Sequence, residues 1–379
     1  MLTLRRLIAL VGRGFHLRQG SGGQVSPGIP VTATCVVLVV LVAGGLLPSL
    51  KPWRTAVALA EAGQASAQQS RAATGKPGAR ATGSWTMPRT PDGRPDLQGV
   101  WENNAVTPLE RPKQFTGKPT LTAAEMADLQ QRVDGVLAGG DAVFFDELIN
   151  NALAGNTNVR SSDGRTGNYS QVWLSERVLE NRTSLIVDPP DGRVPPQSPA
   201  AQQRATERAA ARKLNPPSQI EALGLMTRCV STGVPNIFAG YNSMFEIVQS
   251  PDVVVVRTEM IHDARVVPLD GRPHLAASLQ QLHGDSRGRW DGDTLVVDTT
   301  NFSPRSNFRG ANENLHLIER FTRVDADTLN YEITLNDSTT WTRPWTILIK
   351  LRRSSDPLLE YACHEGNRGI EGILSAQRE

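Results

Sequence analysis

Several ionisable side chains in the second half of the chain are of types that transfer protons. When the strand patterns are read with a period of two, His262 and Glu319 both fall on faces lined by apolar residues. Burial without a partner would raise the pKa of a carboxyl group into the range that acid–base catalysis uses. The alternatives are that Glu319 pairs with an arginine and is structural, or that its strand faces the other way.

A second group of polar residues, His283, Asp285 and Arg287, precedes the Asp291-Gly292 turn. A histidine fixed by an aspartate can serve as a general base, and a guanidinium can orient an anionic or hydroxylated ligand. The alternative is that these residues cap turns and form surface salt bridges. The predicted catalytic residues are His262, Glu319, His283 and Asp285, and the predicted substrate-binding residues are Arg265, Arg287, Trp290 and Tyr331.

Other catalytic motifs are absent or lack the context that they require. Ser286 lies in a G-x-S-x-G pattern, but a hairpin signal follows it where a nucleophile elbow needs a helix. The sequence has no H-E-x-x-H motif, P-loop or G-x-G-x-x-G fingerprint. No cofactor is therefore predicted, although His, Asp and Glu residues distant in the sequence leave a divalent metal open.

Cys229 and Cys363 are the only two cysteines after Cys35. In an oxidising compartment, two such cysteines predict a disulfide that joins distant segments. The alternative is two buried free thiols.

The N-terminal region has the charge and apolar pattern of an export signal. Of the 40 Lys and Arg residues nine lie in residues 1–80, whereas only one of the 38 acidic residues does. Residues 31–50 carry no charge and follow four arginines, which predicts a membrane-spanning helix with the body of the protein beyond it. We therefore expect a periplasmic or secreted protein, with anchoring by residues 31–50 if they are not cleaved.

The domain organisation follows from composition. Residues 1–60 are predicted to be the export signal or anchor, 61–90 a disordered linker, and 91–375 a single β-rich domain. A body with 31 basic and 37 acidic residues and no basic run is a poor nucleic-acid binder. The expected partner is a small molecule or an oligosaccharide, and the expected membrane contact is through the N-terminal segment alone.

Strand signals dominate the body from residue 240 onward. Asp291-Gly292 is a two-residue hairpin signal, and the neighbouring strands follow one another with no helix between them. This pattern predicts a mainly β fold, an antiparallel barrel or sandwich with a lipocalin-like meander favoured and a few peripheral helices. The predicted strands are 244–249, 253–261, 264–269, 288–290, 293–300, 315–324, 328–336, 345–351 and 358–364.

Two helices are predicted outside this block. Thr122 and Glu125 form a capping box ahead of a helix that extends to about Leu137. Ser198 followed by Pro199 is typical of a helix start, and the prolines at 216 and 217 would end that helix.

Two resemblances add to this interpretation. Gly99-Val100-Trp101 and the hairpin motif GRWDGDTL resemble the opening and hairpin pattern of lipocalin-like (calycin) barrels. The stretches PDLQGVW, RCVSTGVPNIFAGYN, MIHDARVVPLDGRPH, GDSRGRWDGDTLVVDTTNF and YACHEGN together resemble a large family of exported bacterial proteins without a settled function. This second resemblance covers most of residues 91–375 and implies export, but no catalytic residues.

Three functions fit the sequence. The first is an exported hydrolase or lyase that uses histidine and carboxylate acid–base chemistry on a small organic or carbohydrate substrate. The second is a non-catalytic, lipocalin-like protein that binds a small apolar or amphipathic ligand. The third is a structural envelope protein, which accounts for export but not for buried ionisable groups. Convergence of His262 and Glu319 on one pocket would favour the first function, catalysis by a hydrolase or lyase.

Overall fold

The computed structural model describes residues 85–139, 143, 145–159, 176–214 and 219–375. The predicted export segment and most of the predicted linker lie outside these residues. Within the described part, no helix is both long enough and apolar enough to cross a membrane.

The described part of the chain is mainly antiparallel β-structure, with ten strands in one sheet. The strands, in chain order, are β1 (Gly99–Glu102), β2 (Ile186–Asp188), β3 (Met244–Gln249), β4 (Val253–Thr258), β5 (Ala264–Pro268), β6 (Asp285–Asp291), β7 (Thr294–Thr300), β8 (His316–Arg323), β9 (Thr328–Asn336) and β10 (Trp345–Ser354). The predicted mainly β fold is confirmed.

The order of the strands in the sheet is β5-β4-β3-β1-β10-β9-β8-β7-β6, and β2 also pairs with β10. Strands β6 to β10 therefore form a meander, in which each strand pairs with the next along the chain. The Asp291-Gly292 turn joins β6 to β7 as predicted, with a φ of 59° at Gly292. A positive φ costs glycine little because it has no Cβ, which is why this dipeptide marks the turn.

The sheet is not closed by hydrogen bonds, so the predicted barrel is not confirmed. In the described part of the chain, β5 and β6 end the strand order and share no hydrogen-bonded ladder. The two end strands nevertheless pack closely: a Cβ placed on Gly288 of β6 would lie 2.8 Å from Val267 of β5 and 2.5 Å from Leu269 just beyond it.

One face of the sheet forms the main hydrophobic core. In β8, β9 and β10 every second residue is buried, so these strands present alternating positions to the same interior. Trp101 of β1 and Trp345 of β10 are fully buried in this core. The inner face predicted for β8 is therefore confirmed, and Glu319 lies on it.

Among the residues that the structure describes, the α-helices lie outside the sheet and are α1 (Ala123–Ala138), α2 (Phe145–Ala154), α3 (Pro199–Leu214) and α4 (Gly369–Ser375). Thr122 forms the predicted capping box with Glu125, and the hydroxyl of Ser198 accepts a hydrogen bond at the start of α3. Apolar residues of α1 and α2 form a second, smaller core. The strand predicted at 358–364 is wrong, because this segment consists of loop and turns.

The predicted disulfide joins Cys229 to Cys363, whose Cα atoms are 5.6 Å apart. It connects the segment before β3 to the segment after β10, across 134 residues of sequence. Closing a loop of that length contributes about 5 kcal/mol to stability on the chain-entropy model.

Candidate functional site

Glu319, in the middle of β8, is fully buried and fully paired. Both guanidinium Nη atoms of Arg265 donate to its carboxylate, with Nη2 2.9 Å from Oε1. The hydroxyl of Tyr331, on the neighbouring strand β9, donates to Oε1 at 2.5 Å. The predicted pairing with an arginine, and not the isolated carboxylate, is what the structure shows.

The electrostatics of this group favour one fixed protonation state. Burial, followed by the charge of Glu319, raises the pKa of Tyr331 well above its usual 10, so the phenol stays a donor. Burial alone would lower the pKa of Arg265, but the charge and hydrogen bonds of Glu319 outweigh this effect and raise it. A cation as buried as Arg265 is stable only beside a counter-charge, which Glu319 supplies. The group is therefore better suited to holding β5, β8 and β9 together than to moving protons.

His262 does not lie on the inner face, and this prediction is wrong. Strand β4 ends at Thr258, and Met260–His262 form a single 3₁₀ turn in which Ile261 and His262 have φ angles of 59° and 46°. The alternation of the strand therefore does not continue to His262. Its side chain is exposed, and its Nδ1 lies 3.2 Å from the carbonyl oxygen of Tyr361. His262 and Glu319 do not converge on one pocket.

The predicted cluster of His283, Asp285 and Arg287 is divided between two sides of the sheet. Gly284 separates His283 from β6 with a φ of 67°, so the chain turns sharply between the first two residues. Asp285 and Arg287 pair with each other at 2.8 Å and lie beside His274. His283 instead contacts the loop that contains Ser231.

His283, Ser231 and Asp263 form a hydrogen-bonded group beside the Glu319 ion pair. The Oγ atom of Ser231 lies 2.7 Å from Nε2 of His283 and 3.0 Å from Oδ2 of Asp263. Asp263 Oδ1 is 3.6 Å from the same ring nitrogen, which is too far for a hydrogen bond. Burial lowers the pKa of His283, and the charge of Arg265 adds to this effect while that of Asp263 opposes it. The imidazole is therefore neutral at neutral pH and able to accept a proton.

A cavity of about 30 Å³ lies between this group and the ion pair, with Asp263, Arg265, His283 and Tyr331 among its lining residues. Such a volume holds about one water molecule. The residues that line this cavity come from β3, β4, β5, β9 and the neighbouring loops.

A larger cavity of about 280 Å³, which we call the loop cavity, lies next to the smaller one, and Asn236 lines both. Its wall is largely apolar. The lining residues are Asn103, Ala105, Thr107, Leu109, Leu185, Met226, Thr232, Pro235, Asn236, Ile237, Phe238, Ala239, Phe308 and Arg309. Most of them belong to loops, so the strand pattern gave no indication of this site.

Two buried polar atoms belong to residues that line the loop cavity. Oδ1 of Asn103 and Oγ1 of Thr107 have no hydrogen-bond partner among the residues that the structure describes. The side-chain Nδ2 of Asn103 donates to the carbonyl oxygens of Ile237 and Phe238, which leaves the side-chain Oδ1 as a free acceptor. Leaving a buried polar atom unpaired costs about 1–3 kcal/mol, so these two atoms need an explanation.

Trp290, a predicted substrate-binding residue, lines neither cavity. It is partly buried and packs against the main core. Two other predicted binding residues, Arg265 and Tyr331, line the small cavity. Arg287 lines neither cavity.

Comparison with known proteins gives no assignment. No family model matches the chain, and no curated protein matches it. Across the described residues, no group of three or more His, Cys, Asp and Glu side chains could hold a metal ion.

Proposed function

We propose that this protein binds a small organic molecule in the loop cavity. The observation that carries this proposal is the pair of buried, unpaired oxygens, Asn103 Oδ1 and Thr107 Oγ1, in the lining of an otherwise apolar site. Ligand sites typically combine an apolar wall with a few polar groups that fix orientation.

The chemistry of the wall indicates the class of ligand. An acceptor at Asn103 requires a hydroxyl or N–H group on the ligand, and Thr107 can either donate or accept. The exposed cation of Arg309, on the same wall, favours an acidic group at the solvent end. The expected ligand is therefore a compact, partly apolar molecule that carries a hydrogen-bond donor.

Phenol and toluene test this proposal, because they share a ring and differ in one hydroxyl group. We expect phenol to bind the protein more tightly than toluene when both are titrated by calorimetry. Thr107→Val, which keeps the shape but removes the hydroxyl, should weaken phenol binding and stabilise the free protein, since no hydrogen bond is lost.

The matched control is Thr340→Val. Thr340 is also buried, but its hydroxyl donates to Asp337 at 2.7 Å. This change should lower stability by about 1 kcal/mol and leave phenol affinity unchanged. Equal binding of phenol and toluene, or no effect of Thr107→Val on either ligand, would contradict the proposal.

A second candidate function is hydrolysis or elimination with His283 as the general base. It is supported by the neutral imidazole of His283, which lies 2.7 Å from the Ser231 hydroxyl and lines the small cavity. A p-nitrophenyl ester series tests it. His283→Gln should lower any turnover by about 10²–10⁴-fold, whereas the exposed His364→Gln should not. Unchanged turnover in His283→Gln would remove this candidate.

We also propose that the protein is exported to the periplasm or beyond, as the family resemblance implies. The uncharged run at 31–50 supports this location, and so does the disulfide, because such bonds persist in oxidising compartments. Nucleic acid is not a proposed partner, and membrane contact is assigned to the N-terminal segment alone.

The finer architecture proposed for the sheet is a lipocalin-like barrel. The close approach of Gly288 to Val267 and Leu269 supports it, because the end strands of the sheet then pack side by side. In this proposed barrel, side-chain packing would take the place of a hydrogen-bonded ladder between β5 and β6.

A further inference from the structure

The hydroxyl group of Ser231 makes three contacts, which together decide where His283 carries its proton. Its Oγ atom lies 2.7 Å from Nε2 of His283 and 3.0 Å from Oδ2 of Asp263. The backbone nitrogen of Gly233 is 2.8 Å from the same atom. A hydroxyl group has one hydrogen to donate and two lone pairs that accept. The three contacts therefore use its full capacity, and each of them has a defined direction.

Two of these directions follow from the chemistry of the partners. The N–H of Gly233 can only donate, so it occupies one lone pair of Oγ. An ionised carboxylate can only accept, and Oδ2 of Asp263 also receives the backbone N–H and the hydroxyl of Thr232. The hydrogen of Ser231 therefore points to Asp263. If it pointed to the imidazole, lone pairs of the two oxygens would face each other at 3.0 Å with no hydrogen between them.

The third direction, between Ser231 and His283, follows by elimination. The remaining lone pair of Oγ needs a donor, so Nε2 of His283 carries the hydrogen. Oδ1 of Asp263, 3.6 Å from this nitrogen, adds negative charge on the same side. Because a neutral imidazole has a single N–H, Nδ1 keeps the lone pair that accepts a proton.

Nδ1 of His283 is open to a reacting molecule. It makes no hydrogen bond to any residue that the structure describes, and it is not among the fully enclosed polar atoms. The side chain is 24% exposed and lines the small cavity, whereas Ser231 does not line it. The ring therefore turns its protonated nitrogen to Ser231 and leaves its basic nitrogen free.

We propose that His283 acts through Nδ1, and that Ser231 and Asp263 are positioning residues that hold the proton on Nε2. This inference rests on the second candidate function, taken as ester hydrolysis with His283 as the general base. Because the hydrogen of Ser231 is committed to Asp263, Ser231 is not the nucleophile. The proposal therefore names water as the nucleophile and excludes an acyl-serine intermediate.

The hydrolysis step balances with water as the only co-reactant. Nδ1 takes a proton from a water molecule as the water oxygen bonds to the carbonyl carbon of the ester. The bond from that carbon to the alcohol oxygen then breaks, and the leaving alcohol takes the proton from Nδ1. The products are a carboxylic acid and an alcohol, and His283 returns to its neutral form. The small cavity, with a volume of about 30 Å³, has room for this water molecule.

Carboxymethylation of the tag-free full chain tests the assignment without relying on turnover. Iodoacetate alkylates the unprotonated nitrogen of an imidazole, and chromatography separates the Nδ1 product from the Nε2 product in isolated peptides. We expect His283 to give the Nδ1 product. The exposed His364 is the control and should give mainly the Nε2 product, as an unhindered imidazole does. An Nε2 product at His283, or no modification of His283, would overturn the proposal.

Ser231→Ala tests the positioning role, because it removes the acceptor of the Nε2 hydrogen. The ratio of Nδ1 to Nε2 product at His283 should fall by about fivefold, the effect of losing one hydrogen bond. Ser286→Ala is the matched control: Ser286 is also buried, but its hydroxyl lies 2.9 Å from that of Thr299. This control should leave the ratio unchanged. An unchanged ratio in Ser231→Ala would show that Ser231 does not hold the ring.

Turnover of p-nitrophenyl esters separates this inference from the function on which it rests. Ser231→Ala should keep measurable turnover, lowered by up to about 100-fold because the ring is less well placed. Peptide mass analysis during turnover should find no acyl group on Ser231, and such an adduct would overturn the proposal. If the unmodified protein hydrolyses no ester, the second candidate function fails, and the carboxymethylation products still decide which nitrogen of His283 is basic.

Discussion

The carboxylate of Glu319 accepts hydrogen bonds from Arg265 and Tyr331 at the centre of the main core. A buried ion pair is retained only when its geometry and its remaining hydrogen bonds offset the cost of removing two charges from water. Both oxygens of Glu319 are occupied, and the aromatic ring of Tyr331 stacks on Phe321 with centroids 4.5 Å apart. The group therefore fixes the relative positions of three strands.

The first prediction concerns this ion pair. Glu319→Gln should lower the free energy of unfolding by about 3–5 kcal/mol, because the buried Arg265 loses its counter-charge. Tyr331→Phe removes one hydrogen bond only and should cost about 1–3 kcal/mol. Denaturant unfolding measures both. Similar costs for the two variants would show that the charge of Glu319 contributes little.

The second prediction concerns pH and His283, whose pKa is lower in the folded protein than the ordinary value of 6.5. When the pH falls below 6.5, the unfolded chain binds more protons at His283 than the folded protein does, so acidification favours unfolding. At a pH well above 6.5, His283 is neutral in both states and contributes no pH dependence. His283→Gln should therefore flatten the loss of stability as the pH falls below about 6.5.

Thermal or denaturant unfolding at several pH values measures this effect, and His364→Gln is the control because that side chain is exposed. A pH profile of His283→Gln that overlays the unmodified protein would refute the prediction.

At the level of single residues, the sequence correctly predicts the direction of side chains that lie in regular strands. The inward direction of Glu319 follows from alternation in β8, and an arginine partner was one of the two alternatives for it. The position of His262 could not be predicted, because the chain leaves β4 through two residues with positive φ, which non-glycine residues rarely adopt. Ser231 carries no sequence signal, since only the fold of its loop brings it to His283.

Among the structural elements, the hairpins depend on a few turn residues, and the third prediction tests one of them. Gly292 has a φ of 59°, and a Cβ there would contact no other atom within 4 Å. Gly292→Ala should therefore cost about 1 kcal/mol through backbone strain alone.

Gly372 in α4 is the matched control, because it too has open space around it but no positive φ. Gly372→Ala should be neutral or stabilise the protein by up to about 1 kcal/mol, since alanine favours helix. Denaturant unfolding compares the two variants, and equal effects would show that the turn tolerates a side chain.

The elements themselves could be predicted where such turns flank alternating residues. The predicted bounds of 244–249 and 328–336 coincide with β3 and β9. The same pattern at 358–364 gave a false strand, because this segment is held by the disulfide at Cys363 and not by a neighbouring strand. Local alternation does not reveal whether a pairing partner exists.

For the whole molecule, the fourth prediction concerns the disulfide. Cys229→Ser with Cys363→Ser should lower the free energy of unfolding by about 5 kcal/mol, because the unfolded chain regains the freedom of a loop of 134 residues. Chemical reduction of the unmodified protein should give a similar loss. A double variant as stable as the oxidised protein would contradict this prediction.

The class of the whole fold followed from the sequence, but the candidate sites did not. Composition and turn spacing predict an antiparallel β protein, because these properties are local. The loop cavity joins residues near 103, 185, 236 and 308. Such groupings depend on the strand order, in which β1 lies between β10 and β3, and no local pattern encodes that order.

The disulfide has a consequence for when the protein can act. Cys229 lies between Met226 and Thr232, two residues of the wall of the loop cavity, and its bond to Cys363 anchors that stretch. Under the proposed export, the bond would form only after the chain has left the reducing cytoplasm. A newly synthesised molecule would then lack a firmly held wall and would not capture small metabolites inside the cell. Oxidation on arrival would thus act as the maturation step that makes the protein competent for the ligand proposed for the loop cavity.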